Sequence, residues 1–276
     1  MNSIAFSWNL IADFASMWHY GFMQHAFEAG TVVAIVAGII GYFVVLRRLS
    51  FAAHGLSHAG FTGAAGAVLM GVNPILGLFV FTLGGASLMA ALGKRASNRD
   101  VQIGTVLAFM LGLGLLFISL YRGGYATEAY SILFGEILGV SVLNVWVTVI
   151  AGILVLAILA CIYRPLLFAS LDEEVAEAKG IPVYAIGFVF MLLVAAATSI
   201  AVQVVGVLLI FSLMVTPAAI AQRIARRPAE GIIIAVAIAL FATWFGLFIS
   251  FYLPYPVSFF ITSFTFVAYL IARGIH

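Results

Sequence analysis

The chain has 276 residues, 65% of them hydrophobic and only 8% charged, with a formal net charge of +2 and a mean hydropathy of +1.23. Soluble domains carry about 25% charged residues, so these figures exclude a soluble globular domain, give no footing for a nucleic-acid partner, and place nearly the whole chain in a bilayer. The single cysteine, Cys161, excludes an intramolecular disulfide.

A membrane crossing takes about 20 mostly apolar residues. Residues 1–21 mix Asp13 and His19 with Trp8, Phe14 and Trp18, as a segment lying at the membrane interface does. No basic residue precedes Arg47, so the positive region of a cleavable signal peptide is missing. Crossings are expected over 22–46, 53–71, 75–93, 101–120, 141–163, 183–202, 204–222, 231–252 and 257–273. One bent segment across residue 203 would leave eight crossings instead of nine. All 276 residues then form a single all-α transmembrane domain, a polytopic helical bundle.

The basic residues set an orientation. With the N-terminus outside and the C-terminus in the cytoplasm, the inner loops hold eleven of them. They are Arg47, Arg48, Lys94, Arg95, Arg99, Arg164, Lys179, Arg223, Arg226, Arg227 and Arg273; only Arg122 falls outside. That asymmetry obeys the positive-inside rule.

The first crossing carries His25 and Glu28 near its outer end. Spacing i, i+3 puts them on one face, either as a port that receives an ion or as interfacial polar residues with no ligand role. The second crossing holds His54 and His58. Spacing i, i+4 puts both imidazoles on one helical face, within reach of one ion. Titratable side chains inside a membrane are costly and point to function, and neutral imidazole is a ligand for Zn²⁺ and similar ions. Ala59, Gly63 and Ala67 give the same helix a stripe of small residues for close packing. A zincin helix would need Glu directly after the first histidine, where Gly55 stands. Haem held between two histidines needs them on opposite faces of the ring, which one turn of one helix does not supply.

No G-x-x-x-x-G-K-[ST] phosphate loop occurs, so this chain does not hydrolyse ATP. Residues 131–139 are apolar but too short to cross; Glu136 within them is either a solvated carboxylate or part of an ion entrance. Residues 164–182 form a cytoplasmic loop. In it Asp172, Glu173, Glu174 and Glu177 favour the start of a short helix, which Gly180 and Pro182 end. In the stretch from Gln203 to Ala221, Gly206 is a packing position and Pro217 removes a backbone hydrogen bond and kinks the helix.

Five marks in order resemble the permease of the manganese/zinc/iron-chelate ABC importers, the ABC-3 family. They are Arg47-Arg48-Leu49-Ser50-Phe51 running into Leu56-Ser57-His58-Ala59-x-x-x-Gly63; Arg99-Asp100-x-x-Ile103-Gly104; Leu133-x-Gly135-x-Ile137-Leu138-Gly139-Val140-Ser141; Asp172 to Gly180; and Val205-Gly206-Val207-Leu208-Leu209 leading to Pro217-Ala218-Ala219-x-Ala221. The resemblance implies a type II-like importer bundle in a bacterial inner membrane. Two copies would enclose a path, two cytoplasmic ATPase subunits would bind ATP and drive it, and an extracytoplasmic metal-binding protein would deliver the ion. The path residues would be His54 and His58, and Glu174-x-Ala176-x-x-x-Gly180 would be the segment that engages the ATPase. No cofactor stays bound; the ion is cargo. The family has Asp where this chain has His54. That exchange favours zinc over manganese or iron, because carboxylate oxygen suits Mn²⁺ and imidazole suits Zn²⁺. The reading from another class is a non-transporting, quinone- or haem-associated membrane subunit with packing histidines.

Overall fold

The computed structural model describes residues 16–92, 99–121, 135 and 137–274. Their regular structure is helical throughout. In chain order it comprises α1 (Gly21–Leu46), α2 (Ser50–Leu69), α3 (Pro74–Leu92), α4 (Arg99–Ser119), a 3₁₀ turn (Ile137–Gly139), α5 (Val142–Leu171), α6 (Glu173–Ala178), α7 (Val183–Val205), α8 (Val207–Ile224), α9 (Pro228–Tyr252) and α10 (Val257–Gly274). All but α6 are long, and consecutive long helices run in opposite directions. The α6 end of the bundle gathers the C-termini of α1, α3, α5, α8 and α10. Arg47 reaches Ser170 there, Gln222 donates to the Tyr42 carbonyl, and Arg223 sits over the Tyr269 ring.

Eight of the nine long helices among the described residues are long and apolar enough to cross a membrane. The ninth is α2. Its histidines, glycines and small residues lower its hydropathy, yet 14 of its 20 residues are buried. A helix enclosed by other helices does not need to be apolar toward lipid, so burial rather than hydropathy marks α2 as a core element. It packs on α3, α4, α7 and α8, while α1 packs on α5, α7, α8 and α9 and hardly touches α2.

Contact between α2 and α3 is backbone on backbone. A Cβ at Gly63 would overlap the Gly77 carbonyl, one at Gly77 would overlap the Gly63 carbonyl, and Ala59 and Ala67 extend the same seam. Small residues allow this approach, which gains dispersion where lipid offers no hydrophobic drive. Forced overpacking costs about 1–3 kcal/mol or more. Gly63→Leu is therefore expected to abolish the monodisperse detergent-solubilised peak in size-exclusion chromatography. Gly84→Ala on the open side of α3, where an added Cβ meets nothing within 4 Å, should leave that peak unchanged.

Two boundaries differ from the sequence expectation. The break between the sixth and seventh crossings lies at Gly206, not at residue 203. Gly206 caps both α7 and α8 with φ 85° and ψ 165°, a region essentially closed to residues with a Cβ. The chain reverses there within one residue, so α7 and α8 are two crossings and not one bent segment. The fifth helix runs on to Leu171, and residues 164–171 belong to it, not to a loop. Pro165 does not stop it: the missing amide deprives only the Cys161 carbonyl of its helix partner, and the next residue, Leu166, is fully buried in the bundle.

The rest of residues 164–182 follows the expected helix. The Asp172 carboxylate accepts from the Val175 amide at 3.0 Å and caps α6. Gly180, at φ 78°, ends it. The Ile181 amide donates to the Ala176 carbonyl and the Gly180 amide to the Glu177 carbonyl. This paired closure needs a left-handed residue at the glycine. Ala176 is buried against Ala169 and Val183, which leaves Glu173, Glu174, Val175 and Glu177 facing out.

Candidate functional site

The link from α1 to α2 is three residues long. Arg47 caps α1, and Arg48 takes φ 56°, the one positive value among described residues other than glycine. The Leu49 amide then donates back to the Val44 carbonyl at 2.8 Å. The Arg47 guanidinium donates to the Ser170 hydroxyl at 3.2 Å, tying this corner to the last turn of α5, directly before α6.

From that corner α2 rises with one face less than buried. Phe51, His54 and His58 lie along it, while nearly every other position up to Ala67 is buried. The two imidazoles stand with centroids 4.7 Å apart at 83°. The Phe211 ring of α8 meets His54 edge-on at 5.2 Å and holds it from the side. His54 Nδ1 is buried and makes no hydrogen bond. Both hydroxyls on this stretch turn to backbone. Ser57 donates to the His54 carbonyl at 2.7 Å, and Thr62 donates to the carbonyls of His58 and, at 2.7 Å, Met110. Ser57 is thus a helix-internal residue and not a third donor. Among the described residues no three of His, Cys, Asp and Glu stand together as a metal centre. Two imidazoles from one chain can hold an ion only loosely; water, carbonyls or a second chain must fill the remaining positions.

His25 and Glu28 do face each other, with Nδ1 to Oε2 at 3.6 Å. They lie in a cavity between α1, α5 and α9 that includes no residue of α2, so the structure does not join them to the histidine pair. Glu136 lies outside the described residues. Next to it, Gly135 abuts the corner at Gly206, where a Cβ would overlap the backbone of Val205 and Gly206. Pro217 sits buried within α8, six residues beyond Phe211. Residues 172–180 form α6 and its caps at the far side of the Arg47 tie.

Three features of the site carry no mark in the sequence. Phe211 is one of 24 phenylalanines, and nothing in its spacing points to His54. The Arg47–Ser170 bond spans 123 positions. The gathering of Trp18, Trp146 and Trp244 in one cavity depends on three distant segments.

Known proteins match this chain along almost all of its length. It is 33% identical over 236 residues to the manganese transport system membrane protein MntC of Listeria innocua, covering 85% of this chain and 84% of that one. It is 32% identical to the manganese import system permease protein ScaB of Streptococcus gordonii, covering 88% and 87%. The solved structure of PsaBC from Streptococcus pneumoniae in complex with Fab contains a chain that superposes with a TM-score of 0.84 at 29% identity, covering 95% of both. The sequence profile of the ABC 3 transport family matches residues 19–275. By that match, and by its similarity to these permeases, the chain belongs to the ABC 3 transport family.

Proposed function

We propose that this chain is the permease of an ATP-driven divalent-metal importer and that His54 and His58 hand the ion through the membrane. The paired imidazoles, 4.7 Å apart on the open face of an otherwise buried helix, carry this reading. A pair used only for packing would be enclosed and hydrogen-bonded, whereas His54 Nδ1 has no partner. A non-transporting subunit leaves both that free nitrogen and the exposed carboxylates of α6 without a role. The family and the names of the relatives support import of manganese as the first reading of the cargo. The two nitrogen donors favour zinc as the second.

Two copies would place their half-open α2 faces toward each other and complete the ion's shell. The α6 end, which carries Arg47, Arg48, Arg164, Lys179, Arg223, Arg226, Arg227 and Arg273, is the cytoplasmic end by the positive-inside rule. The N-terminus is then outside, in a bacterial inner membrane. There α6 offers Glu173, Glu174, Val175 and Glu177 to an ATPase subunit, and an extracytoplasmic metal-binding protein supplies the opposite end.

Uptake of labelled manganese and zinc into cells carrying the whole transporter tests the proposal. Saturable manganese uptake that excess zinc fails to displace supports the first cargo. The reverse supports the second, and uptake of neither metal refutes the importer. Docking has its own test. A β-branched residue at φ 78° is a steric outlier, so Gly180→Val should unseat the closure of α6 and lower co-purification of the ATPase by about tenfold, roughly 1.4 kcal/mol. Undiminished co-purification would remove α6 from the interface.

A further inference from the structure

Trp18, Trp146 and Trp244, three of the four tryptophans in the chain, line one cavity of about 700 Å³ between α1, α5 and α9. It lies at the end of the bundle opposite α6. Glu28 and Trp146 are in the second turns of α1 and α5, and Trp244 is two turns from the end of α9. Tryptophan at that depth marks the boundary between headgroups and hydrocarbon. Trp146 also belongs to the outer α5 face formed by Leu143, Trp146, Ile150 and Ile153, each more than 60% exposed. That face is apolar throughout, as a surface turned to lipid is.

Among the described lining residues the one carboxylate is Glu28, half exposed, and the His25 Nδ1 stands 3.6 Å from it, beyond hydrogen-bond length. His25 Nδ1 is itself buried and makes no hydrogen bond. Apart from the Thr31 hydroxyl, the remaining walls are apolar or aromatic. Trp244 Nε1 donates to Thr31 Oγ1 at 2.9 Å, so its polar edge is satisfied and its ring is fixed. A carboxylate at this depth calls for a cationic partner. A bare divalent ion would find two donors and an apolar wall, too few to replace its water. An ammonium group suits the site better, because a carboxylate and indole faces hold it together. Val32, Val145 and Val149 continue the cavity as an apolar track.

We propose that this cavity binds an ethanolamine-headed membrane phospholipid, with its ammonium group at Glu28 among the indole rings and its acyl chains along the valine track. The site is separate from the histidine pair, and its test does not involve uptake.

The purified full-length chain in detergent is titrated with phosphatidylethanolamine carrying brominated acyl chains, and quenching of indole fluorescence is read. Phosphatidylglycerol with the same chains is the comparator. Saturable quenching by the ethanolamine lipid is expected, with half-saturation roughly tenfold higher for the glycerol lipid and for Glu28→Gln. Trp146→Leu removes an exposed ring with little risk to folding and should weaken the same titration. Equal affinity for the two lipids, or unchanged affinity in Glu28→Gln, would overturn the proposal. So would a fluorescence change caused by manganese or zinc alone that Glu28→Gln abolishes, since that outcome makes the pair an ion port.

Discussion

Metal uptake is expected to fall at least about 100-fold when His54 and His58 are both replaced by alanine, since even loss of an outer-shell partner costs 10–100-fold in metal affinity. Each single replacement should fall between the double variant and the wild type, because one imidazole still faces the ion. Truncation here should not unfold the chain. Both residues lie on the half-open face of α2, and their helix is held by the Gly63–Gly77 seam and the Thr62 hydrogen bonds elsewhere on its surface. Amount in the membrane and ATP hydrolysis by the assembled transporter are therefore expected to stay near wild type while uptake is lost. His54→Asp adds a sharper readout. An oxygen donor replaces one nitrogen and brings a negative charge, which suits Mn²⁺ more than Zn²⁺. The ratio of manganese to zinc uptake should rise, whichever metal the wild type prefers. Uptake unchanged in the double variant would reduce both histidines to packing residues that happen to meet Phe211.

The helices of this bundle could be placed from the sequence because a membrane crossing has a minimum length and must be apolar. The limits of that rule show where the placement fails. The second crossing is expected over 53–71 from its run of apolar residues, yet the helix that forms there, α2, is the least apolar of the long ones, since its polar residues are enclosed by protein and never meet lipid. The break expected at residue 203 lies three residues later, at Gly206. The determinant is backbone conformation, and only glycine adopts it. The end of α5 was placed eight residues short at Arg164 and Pro165, where burial of Leu166 outweighs the one backbone bond the proline removes. The histidine pair was legible because i, i+4 spacing is a local property of one helix. Its surroundings were not, because Phe211 comes from another helix. His25 and Glu28 were legible as a pair, but which neighbours they face depends on how α1, α5 and α9 pack.

Arg47→Ala is expected to leave ATP hydrolysis in place while lowering uptake by about 10–100-fold. On the proposed docking, the stroke of an ATPase on α6 has to reach α2, and those two helices share no extensive packing contact. One link between them is the hydrogen bond from Arg47 to Ser170, between the last turn of α5 and the corner where the chain turns into the histidine helix. Hydrogen bonds to charged groups contribute about 1.5–3 kcal/mol. A shift of that size in an equilibrium between two arrangements is a factor of roughly 10–150, enough to separate hydrolysis from transport. Arg48, strained at φ 56°, sits within this corner, so the link is a stiff turn and not a slack loop. Ser170→Ala removes the acceptor alone and should uncouple in the same direction but more weakly. It also removes the hydroxyl's bond to the Leu166 carbonyl in the last turns of α5. Arg47→Lys keeps the charge without the planar donor array and should fall between. Parallel measurement of hydrolysis and uptake in reconstituted vesicles decides the matter. If both activities fall together in Arg47→Ala, the bond supports assembly and not transmission. If neither falls, α6 and α2 are coupled through the packed faces of α5, α7 and α1 instead.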